Sequence, residues 1–238
     1  MNLLAIETST ECCSVALSCN GEIISRSQVA PRRHAELLLP MCDEVLVEAG
    51  VFRRQLDAIA VGRGPGAFTG VRLAISAAQG MALALDLPVI PVSSLAALAL
   101  DAPVDSRMIL AVIDARMGEI YAGAFRRRDD GLVELLGSET VGPADALALP
   151  AGMNWSVIGT GWDSYREVLL TRMGSGPAWA EGQRYPQAAA VARLAMREHV
   201  AGHGLAPELA MPVYLRDKVA FTTEERQRTE KSSAPSNR

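Results

Sequence analysis

The chain is organised around one stretch, Gly62-Arg63-Gly64-Pro65-Gly66-Ala67-Phe68-Thr69-Gly70-Val71-Arg72. It follows a short apolar run, residues 59–61, that is typical of a buried strand, and it precedes an apolar segment that ends near Leu85. Glycine reaches φ > 0 without a steric penalty and proline fixes its own φ, so the stretch predicts a sharp turn. Thr69 is a favourable N-cap for the helix that follows. The sequence therefore predicts a strand, a tight turn and a long helix.

The glycines of this turn have two physical interpretations. A helix N-terminus behind a glycine-rich turn binds anions, and a glycine also allows another backbone to approach closely. The phosphate-loop pattern is absent because no Lys-Ser/Thr follows the last glycine, and the glycine spacing differs from the dinucleotide fingerprint. The sequence leaves a phosphate, a close backbone approach, or both open.

Two helical segments, residues 36–47 and 71–85, are apolar on nearly every side. A helix with this pattern is either wholly buried, or half-buried and covered by a partner. Small residues such as Ala74, Ala78 and Gly80 allow a second helix to approach closely. Two interpretations stay open: another chain covers the outer sides of these helices, or the C-terminal segment of the same chain covers them.

Composition excludes several classes of protein. The chain has 238 residues, of which 49% are hydrophobic and 21% charged, and its formal net charge is −4. This length suffices for a sizeable core, and the negative charge argues against strong nucleic-acid binding by the chain alone. A predicted strand opens the chain in place of a basic leader, no apolar run approaches the ~20 residues of a membrane span, and the four cysteines form no CxxC pair. We expect a cytoplasmic protein with reduced cysteines and no membrane association.

The two halves of the chain open with the same pattern. Glu7 ends the first strand pattern of one half, and Asp114 ends that of the other. Each half continues with two further strand patterns joined by a hairpin signal, Asn20-Gly21 or Asp130-Gly131. This internal repeat of meander plus helices predicts an α/β protein with the actin-like (ASKHA) fold, in which two ribonuclease-H-like lobes contain mixed sheets.

The lobes are expected at residues 1–103 and 104–218, with the last segment of the second lobe returning to the first. Residues 219–238 are polar and lack periodicity, which predicts a disordered tail. The same patterns predict a kink or a broken first turn at Pro40 in the helix of residues 33–50. They also predict a short helix at residues 143–149 and a loop at residues 174–186.

In the actin-like fold the first hairpin turn of each lobe faces a cleft, so the sequence predicts a nucleotide cleft. Glu7 and Asp114 either hold a metal-bound water near phosphates, or cap a turn or pair with an arginine. The first interpretation supports an alternative function, a free-standing ATPase or small-molecule kinase. The candidate cleft residues are Glu7, Thr8, Ser9, Asp114, Arg116, Gly159 and Gly161.

The motifs together resemble the bacterial TsaB (YeaZ) family from Asn2 to about Lys218. The glycine-rich stretch is the most specific of them. The other motifs are Ala5-Ile6-Glu7-Thr8-Ser9-Thr10, Asp114-Ala115-Arg116-Met117-Gly118-Glu119-Ile120-Tyr121 and Pro212-Val213-Tyr214-Leu215-Arg216. The resemblance implies a noncatalytic, essential partner of TsaD. Together with TsaE, the two proteins add threonylcarbamoyl to N6 of the adenosine next to the anticodon, in tRNAs that read codons starting with A.

The resemblance also implies where TsaD binds. The two apolar helices would pair with their counterparts in TsaD, or with a second copy of this chain when TsaD is absent, and tRNA would be bound only through the complex. The implied partner-binding residues are His34, Leu38, Met41, Cys42, Val45, Val71, Ala74, Ile75, Ala78, Met81 and Ala82.

The residues at two positions distinguish the expected partner protein from the transferase TsaD. In TsaD a metal-binding His-x-x-x-His pair follows the strand that corresponds to residues 89–92. Ser94 and Leu98 stand at those positions here, and neither side chain is a good transition-metal ligand. His199 and His203 have the spacing of a helical metal pair, but glycines interrupt the helix there and no third ligand is evident. We therefore expect no catalytic residue, metal or cofactor.

Overall fold

A computed structural model describes residues 1–150 and 153–216 of the chain. Its first sheet has five strands in the order β3-β2-β1-β4-β5, where β1, β2 and β3 form an antiparallel meander and β4 and β5 run parallel to β1. The strands are β1 Leu3–Glu7, β2 Cys12–Cys19, β3 Glu22–Val29, β4 Ala58–Gly62 and β5 Val89–Val92.

The second sheet repeats this opening. Its order is β11-β10-β6-β7-β8, with β9 also paired to β7. β6, β7 and β8 form the second antiparallel meander, and β10 runs parallel to β6 as β4 does to β1. The strands are β6 Met108–Arg116, β7 Glu119–Arg127, β8 Val133–Leu135, β9 Thr140–Pro143, β10 Trp155–Ile158 and β11 Trp179–Glu181. The predicted fold of two lobes with mixed sheets is confirmed.

Helices cover and separate the two sheets. α1 and α2 pack on the outer face of the first sheet, α4 packs on the outer face of the second, and α3 and α5 lie between the sheets. The helices are α1 His34–Ala49, α2 Phe68–Leu85, α3 Ser94–Leu100, α4 Thr160–Met173 and α5 Ala188–Val200. Single 3-10 turns occur at Arg53–Gln55, Ala144–Ala146 and Pro207–Leu209.

The helices of the middle layer are exchanged between the halves of the chain. α3 comes from the first half and packs on β6, β7 and β8, whereas α5 comes from the second half and packs on the first sheet. Buried alanines on both helices, such as Ala97 and Ala192, allow close contact with the sheets. Leu3 of the first sheet, Ile109 of the second and Val191 of α5 consequently belong to one core, so the two lobes share their central packing layer.

Several local predictions were wrong, each because a tertiary contact outweighs the local signal. α2 begins at Phe68 with Ala67 as its N-cap residue, because the Ala67 N–H donates to the carbonyl of Ser9 at 2.7 Å; Thr69 lies inside the helix. α1 runs unbroken through Pro40, which lies on its exposed side.

Two further differences concern the second lobe. The predicted helix at residues 143–149 is the end of β9 and a single 3-10 turn, since β9 pairs with β7. The predicted loop at 174–186 contains β11, which adds to the edge of the sheet beside β10. The predicted tail at 219–238 lies outside the described residues.

α2 also differs from the expectation that no apolar run is long enough to cross a membrane. By length and composition alone its 18 residues pass that test. In this fold its inner side, which includes Val71, Ile75 and Ala82, is buried against the first sheet. The apolar composition of α2 therefore allows it to pack on the first sheet.

Three glycines spaced four residues apart make room for the turn after β1. A Cβ on Gly62 would lie 2.0 Å from Glu7 Oε2, one on Gly66 would lie 2.3 Å from the Ser9 carbonyl oxygen, and one on Gly70 would lie 2.0 Å from the Thr8 carbonyl oxygen. The Thr8 hydroxyl also donates to the Gly70 carbonyl at 2.7 Å. Of the two interpretations of these glycines, the structure shows the close backbone approach.

We expect Gly70→Ala to lower the free energy of unfolding by at least about 2 kcal/mol, because the added methyl group meets backbone rather than a movable side chain. Gly80→Ala is the matched control in the same helix. Its Cβ would meet no atom of the described chain within 4 Å, so alanine there should raise stability by about 0.5–1 kcal/mol. Urea unfolding measures both values, and equal effects of the two substitutions would contradict the packing argument.

Candidate functional site

A cleft lies between the lobes, where the turn after β1 faces the turn between β6 and β7. Glu11 and Arg116 connect its two walls through an ion pair of 2.6 Å, and Phe68 and Tyr214 line its mouth. Of the seven predicted cleft residues, Ser9, Asp114 and Arg116 line this space.

The carboxylate of Asp114 is already occupied by neighbours. It accepts hydrogen bonds from the Arg116 backbone N–H at 2.8 Å and from the Arg116 guanidinium at 3.1 Å. The hydroxyls of Ser164 and Tyr165 donate to it at 3.3 and 3.4 Å. Burial, followed by the charge of Asp114, raises the pKa of Tyr165, which keeps that hydroxyl a donor. Asp114 therefore caps the turn and pairs with an arginine, which is the second of the two predicted interpretations.

Glu7 does not face the cleft, so the predicted pair with Asp114 is not formed. Its carboxylate is fully buried beside Gly62, where it accepts from the Ser9 backbone N–H at 2.6 Å and from the Ser94 hydroxyl at 2.7 Å. Burial raises the pKa of Glu7, and these hydrogen bonds oppose the rise. The kinase interpretation required a carboxylate accessible to phosphates, and Glu7 has no such access.

The remaining predicted cleft residues serve packing. Thr8 is buried under the glycine-rich turn. Gly159 has φ of +113°, and a Cβ there would lie 2.2 Å from the Val112 carbonyl oxygen; a Cβ on Gly161 would lie 3.0 Å from Val112 Cβ. Both glycines therefore allow the start of α4 to pack on β6. These three residues do not line the cleft described above, and the sequence shows a glycine turn but not what approaches it.

Sequence reasoning missed most of the residues that line the cleft, among them Phe68, Tyr214 and Arg216. Arg72 connects the first two, since its guanidinium lies 3.8 Å from the Phe68 ring centroid and its Nε donates to the Tyr214 hydroxyl at 2.6 Å. The last segment of the second lobe was expected to return to the first lobe, but no local pattern in Pro212–Arg216 indicates that it reaches the glycine-rich turn.

The outer face of α1 and α2 is the second candidate site, and here the structure corrects the predicted residues. His34 and Met81 are half-buried, and the other nine are buried inside the chain, since they form the stripe that packs on the first sheet. The nine buried residues are Leu38, Met41, Cys42, Val45, Val71, Ala74, Ile75, Ala78 and Ala82. On α1 the acidic residues are all exposed and were a signal for the outer side, whereas α2 carries small or apolar residues on both sides; the acidic residues are Glu36, Asp43, Glu44 and Glu48.

Different apolar residues occupy the outer sides. The exposed fraction is 56% for Leu39, 80% for Val47 and 75% for Leu83. Gly80 and Ala84 are also exposed, and they line a groove between α1 and α2 together with Leu39. We define the outer face by these five residues. Up to Arg216, where the described residues end, the C-terminal segment covers only the edge of α2, where the Gln79 amide donates to the Ala210 carbonyl at 3.1 Å.

An ion pair borders this groove. Arg53 Nη2 lies 2.5 Å from Asp43 Oδ1, and both side chains are more than half exposed and line the groove. Exposed pairs of this kind contribute little to stability, so their charges are free to rearrange against a second surface. The outer face is thus an apolar groove with a positive and a negative charge at its border.

Other candidate groups are not assembled into sites. His203 lies beyond the end of α5 and its ring bonds Glu198 at 2.7 Å. Among the described residues no three His, Cys, Asp or Glu side chains meet as a metal site. All four cysteines are buried, and burial raises the pKa of Cys13 to about 11 and of Cys42 to about 12, so these thiols remain protonated and unreactive.

Comparison with known proteins finds close similarity over the whole described fold. A family model described as "TsaD: tRNA N6-adenosine threonylcarbamoyltransferase" matches residues 22–222. The tRNA threonylcarbamoyladenosine biosynthesis protein TsaB of Escherichia coli is 37% identical over 93% of this chain and 97% of its own length. The protein of the same name from Haemophilus influenzae is 38% identical over 93% and 96%.

A solved structure shows the same fold. YeaZ from Pseudomonas aeruginosa superimposes with a TM-score of 0.84, at 46% sequence identity, over 90% of this chain and 99% of that chain.

The buried carboxylate of Glu7 predicts a pH-dependent stability. Because the pKa of Glu7 is higher in the folded chain than its ordinary value of 4.5, its favourable contribution is present below pH 4.5 and is lost as the pH rises through the raised pKa. Glu7→Gln keeps the shape and removes the charge. We expect the unfolding free energy of the variant, minus that of the wild type, to increase as the pH rises above 4.5.

Urea unfolding between pH 4.5 and about pH 8 measures this difference. Asp101, whose pKa burial raises to about 6, titrates in the same range, but it does so in both proteins and cancels. A difference that is constant with pH would contradict the assignment of Glu7 as a buried, perturbed carboxylate.

Proposed function

The chain belongs to the TsaB family of tRNA threonylcarbamoyladenosine biosynthesis proteins, and from this premise we propose that it is the noncatalytic partner of TsaD. In this proposal TsaD binds the outer face of α1 and α2, and TsaE joins as the third, ATP-binding subunit. The complex works in the cytoplasm and adds threonylcarbamoyl to N6 of the adenosine next to the anticodon. tRNA is bound through the complex.

One observation carries the proposal: α1 and α2 leave large apolar side chains exposed on their outer sides, since the described part of the chain buries their inner sides only. The inner side packs on the first sheet, whereas Leu39, Val47 and Leu83 remain exposed. Contiguous apolar surface of this kind is typical of a protein interface. A helix pair from a partner with the same fold would bury it, and a standard interface takes about 800 Å² from each partner.

Small residues on α2 support helix-to-helix packing at this face. Ser76, Gly80 and Ala84 are exposed and four residues apart, so they lie in one row along the helix. A row without large side chains allows the axis of a second helix to approach closely, and Leu39 and Leu83 flank the row as knobs. In the absence of TsaD, we expect the same face to join two copies of this chain.

The proposal assigns the chemistry to TsaD because two positions of this chain carry side chains that are poor ligands for a transition metal. Ser94 and Leu98 occupy the positions where the family resemblance places the metal-binding histidines of TsaD. The Ser94 hydroxyl is committed to Glu7, and Leu98 is fully buried in the shared core. Neither side chain can take over the role of a histidine ligand.

Val47→Asp and Leu83→Asp test the proposal, because each places a charge on the outer face without touching the core. We expect each substitution to weaken the complex with TsaD by about 2 kcal/mol or more, roughly 30-fold in Kd, since the carboxylate would be desolvated at the interface. Isothermal titration of each variant with TsaD measures the affinity. Sedimentation of the variants alone shows whether the dimer of this chain is weakened too.

Val200→Asp is the matched control. Val200 ends α5 as an exposed valine, at 83% against 80% for Val47, and it lies away from α1 and α2. Its substitution should leave the affinity for TsaD unchanged. Equal binding by Val47→Asp, Leu83→Asp and Val200→Asp would refute the outer face as the TsaD-binding surface.

A further inference from the structure

We propose that residues Val213–Arg216 form a strap that closes the cleft between the lobes in the place of a small-molecule ligand. All four residues line the cleft, and three of them bond across it: Val213 and Tyr214 to the first lobe and Arg216 to the second. This inference concerns the isolated chain and does not rest on the proposed partner.

The first anchor of the strap is the glycine-rich turn of the first lobe. The Val213 N–H donates to the Arg63 carbonyl at 2.9 Å. Gly64 adopts φ of +88°, which favours glycine, and a Cβ on it would lie 3.4 Å from the Val213 carbonyl oxygen. The backbone of the turn therefore fits closely against the strap.

Tyr214 extends this anchor to the start of α2. Its ring centroid lies 5.7 Å from that of Phe68, and its hydroxyl accepts a hydrogen bond from Arg72 Nε at 2.6 Å. The Arg72 guanidinium lies 3.8 Å from the Phe68 ring centroid and so contacts both aromatic residues. Three side chains thus hold the middle of the strap on the first lobe.

The second anchor lies on the other lobe. Arg216 Nη2 donates to the Ala115 carbonyl at 3.1 Å and forms an ion pair with the Glu119 carboxylate. The Arg216 side chain is only 18% exposed, so this pair is better shielded than the exposed pairs elsewhere on the chain. Ala115 and Glu119 flank the turn between β6 and β7, which forms the opposite wall of the cleft.

Two buried hydroxyls belong to the wall of the cleft that the strap lines. Ser9 Oγ and Thr10 Oγ1 are buried, and neither finds a hydrogen-bond partner within the described residues. Both residues line the cleft that Tyr214 and Arg216 border. In this proposal Tyr214 and Arg216 narrow the access to this polar wall, and release of the strap would widen it.

Hydrogen–deuterium exchange of the full chain tests the strap through two variants that act on opposite sides. Arg216→Ala removes the anchor from the strap, and Glu119→Gln weakens it from the second lobe. For both variants we expect amide exchange to rise roughly tenfold in the turns at residues 8–11 and 115–118, while amides of β4 and β6 keep their wild-type protection. That protection also shows that the variant is folded.

Arg126→Ala is the control, because it breaks an ion pair of similar type, with Glu134 at 2.9 Å, away from the cleft. It should leave both turns unchanged. Unchanged exchange of the two turns in Arg216→Ala and Glu119→Gln, or an increase confined to residues 213–216, would overturn the proposal.

A ligand probe completes the experiment. Magnesium with ATP added to the wild type should leave exchange in both turns unchanged, because the strap occupies the mouth of the cleft. A decrease in exchange in those turns on addition of this probe would show that a small molecule closes the cleft, and would likewise overturn the proposal.

Discussion

The close packing of the turn after β1 against the glycine-rich turn is the constraint on which the structure depends. Gly62, Gly66 and Gly70 contact Glu7, Ser9 and Thr8 at distances that leave no space for a Cβ. This contact joins the first strand to the start of α2, and the Ser9 carbonyl accepts the N–H that begins that helix. The direction of α2 on the first sheet therefore depends on the absence of a Cβ at these three glycines.

The position of α2 determines which surfaces the chain buries and which it leaves exposed. The inner sides of α1 and α2 pack on one face of the first sheet, and α3 and α5 fill the layer between the sheets. Because that shared layer already occupies the other face, the outer sides of α1 and α2 remain the outermost layer of the chain. The glycine-rich turn is also the surface on which Val213 lies, so the same contact orients both the outer face and the mouth of the cleft.

Much of this architecture follows from local sequence patterns. The strand at Val89–Val92 and the two meanders were predicted because apolar periodicity and turn residues act within a few positions. The direction of the Glu7 side chain was not predictable, because its partner Ser94 lies 87 residues away. The outer face of α1 and α2 escaped prediction for a different reason: α2 carries small or apolar residues on both sides, and the acidic residues that mark the exposed side of α1 were not used as a signal.

Hydroxyl-radical footprinting of the chain with and without TsaD tests the central claim most directly, since it reports the exposure of individual side chains. If the outer face of α1 and α2 is the partner surface, then TsaD protects Leu39, Val47 and Leu83, while Val200, which is exposed at the end of α5, reacts as it does in the free chain. Unchanged reactivity of Leu39, Val47 and Leu83 in a formed complex, or protection confined to the mouth of the cleft at Tyr214, would contradict the account.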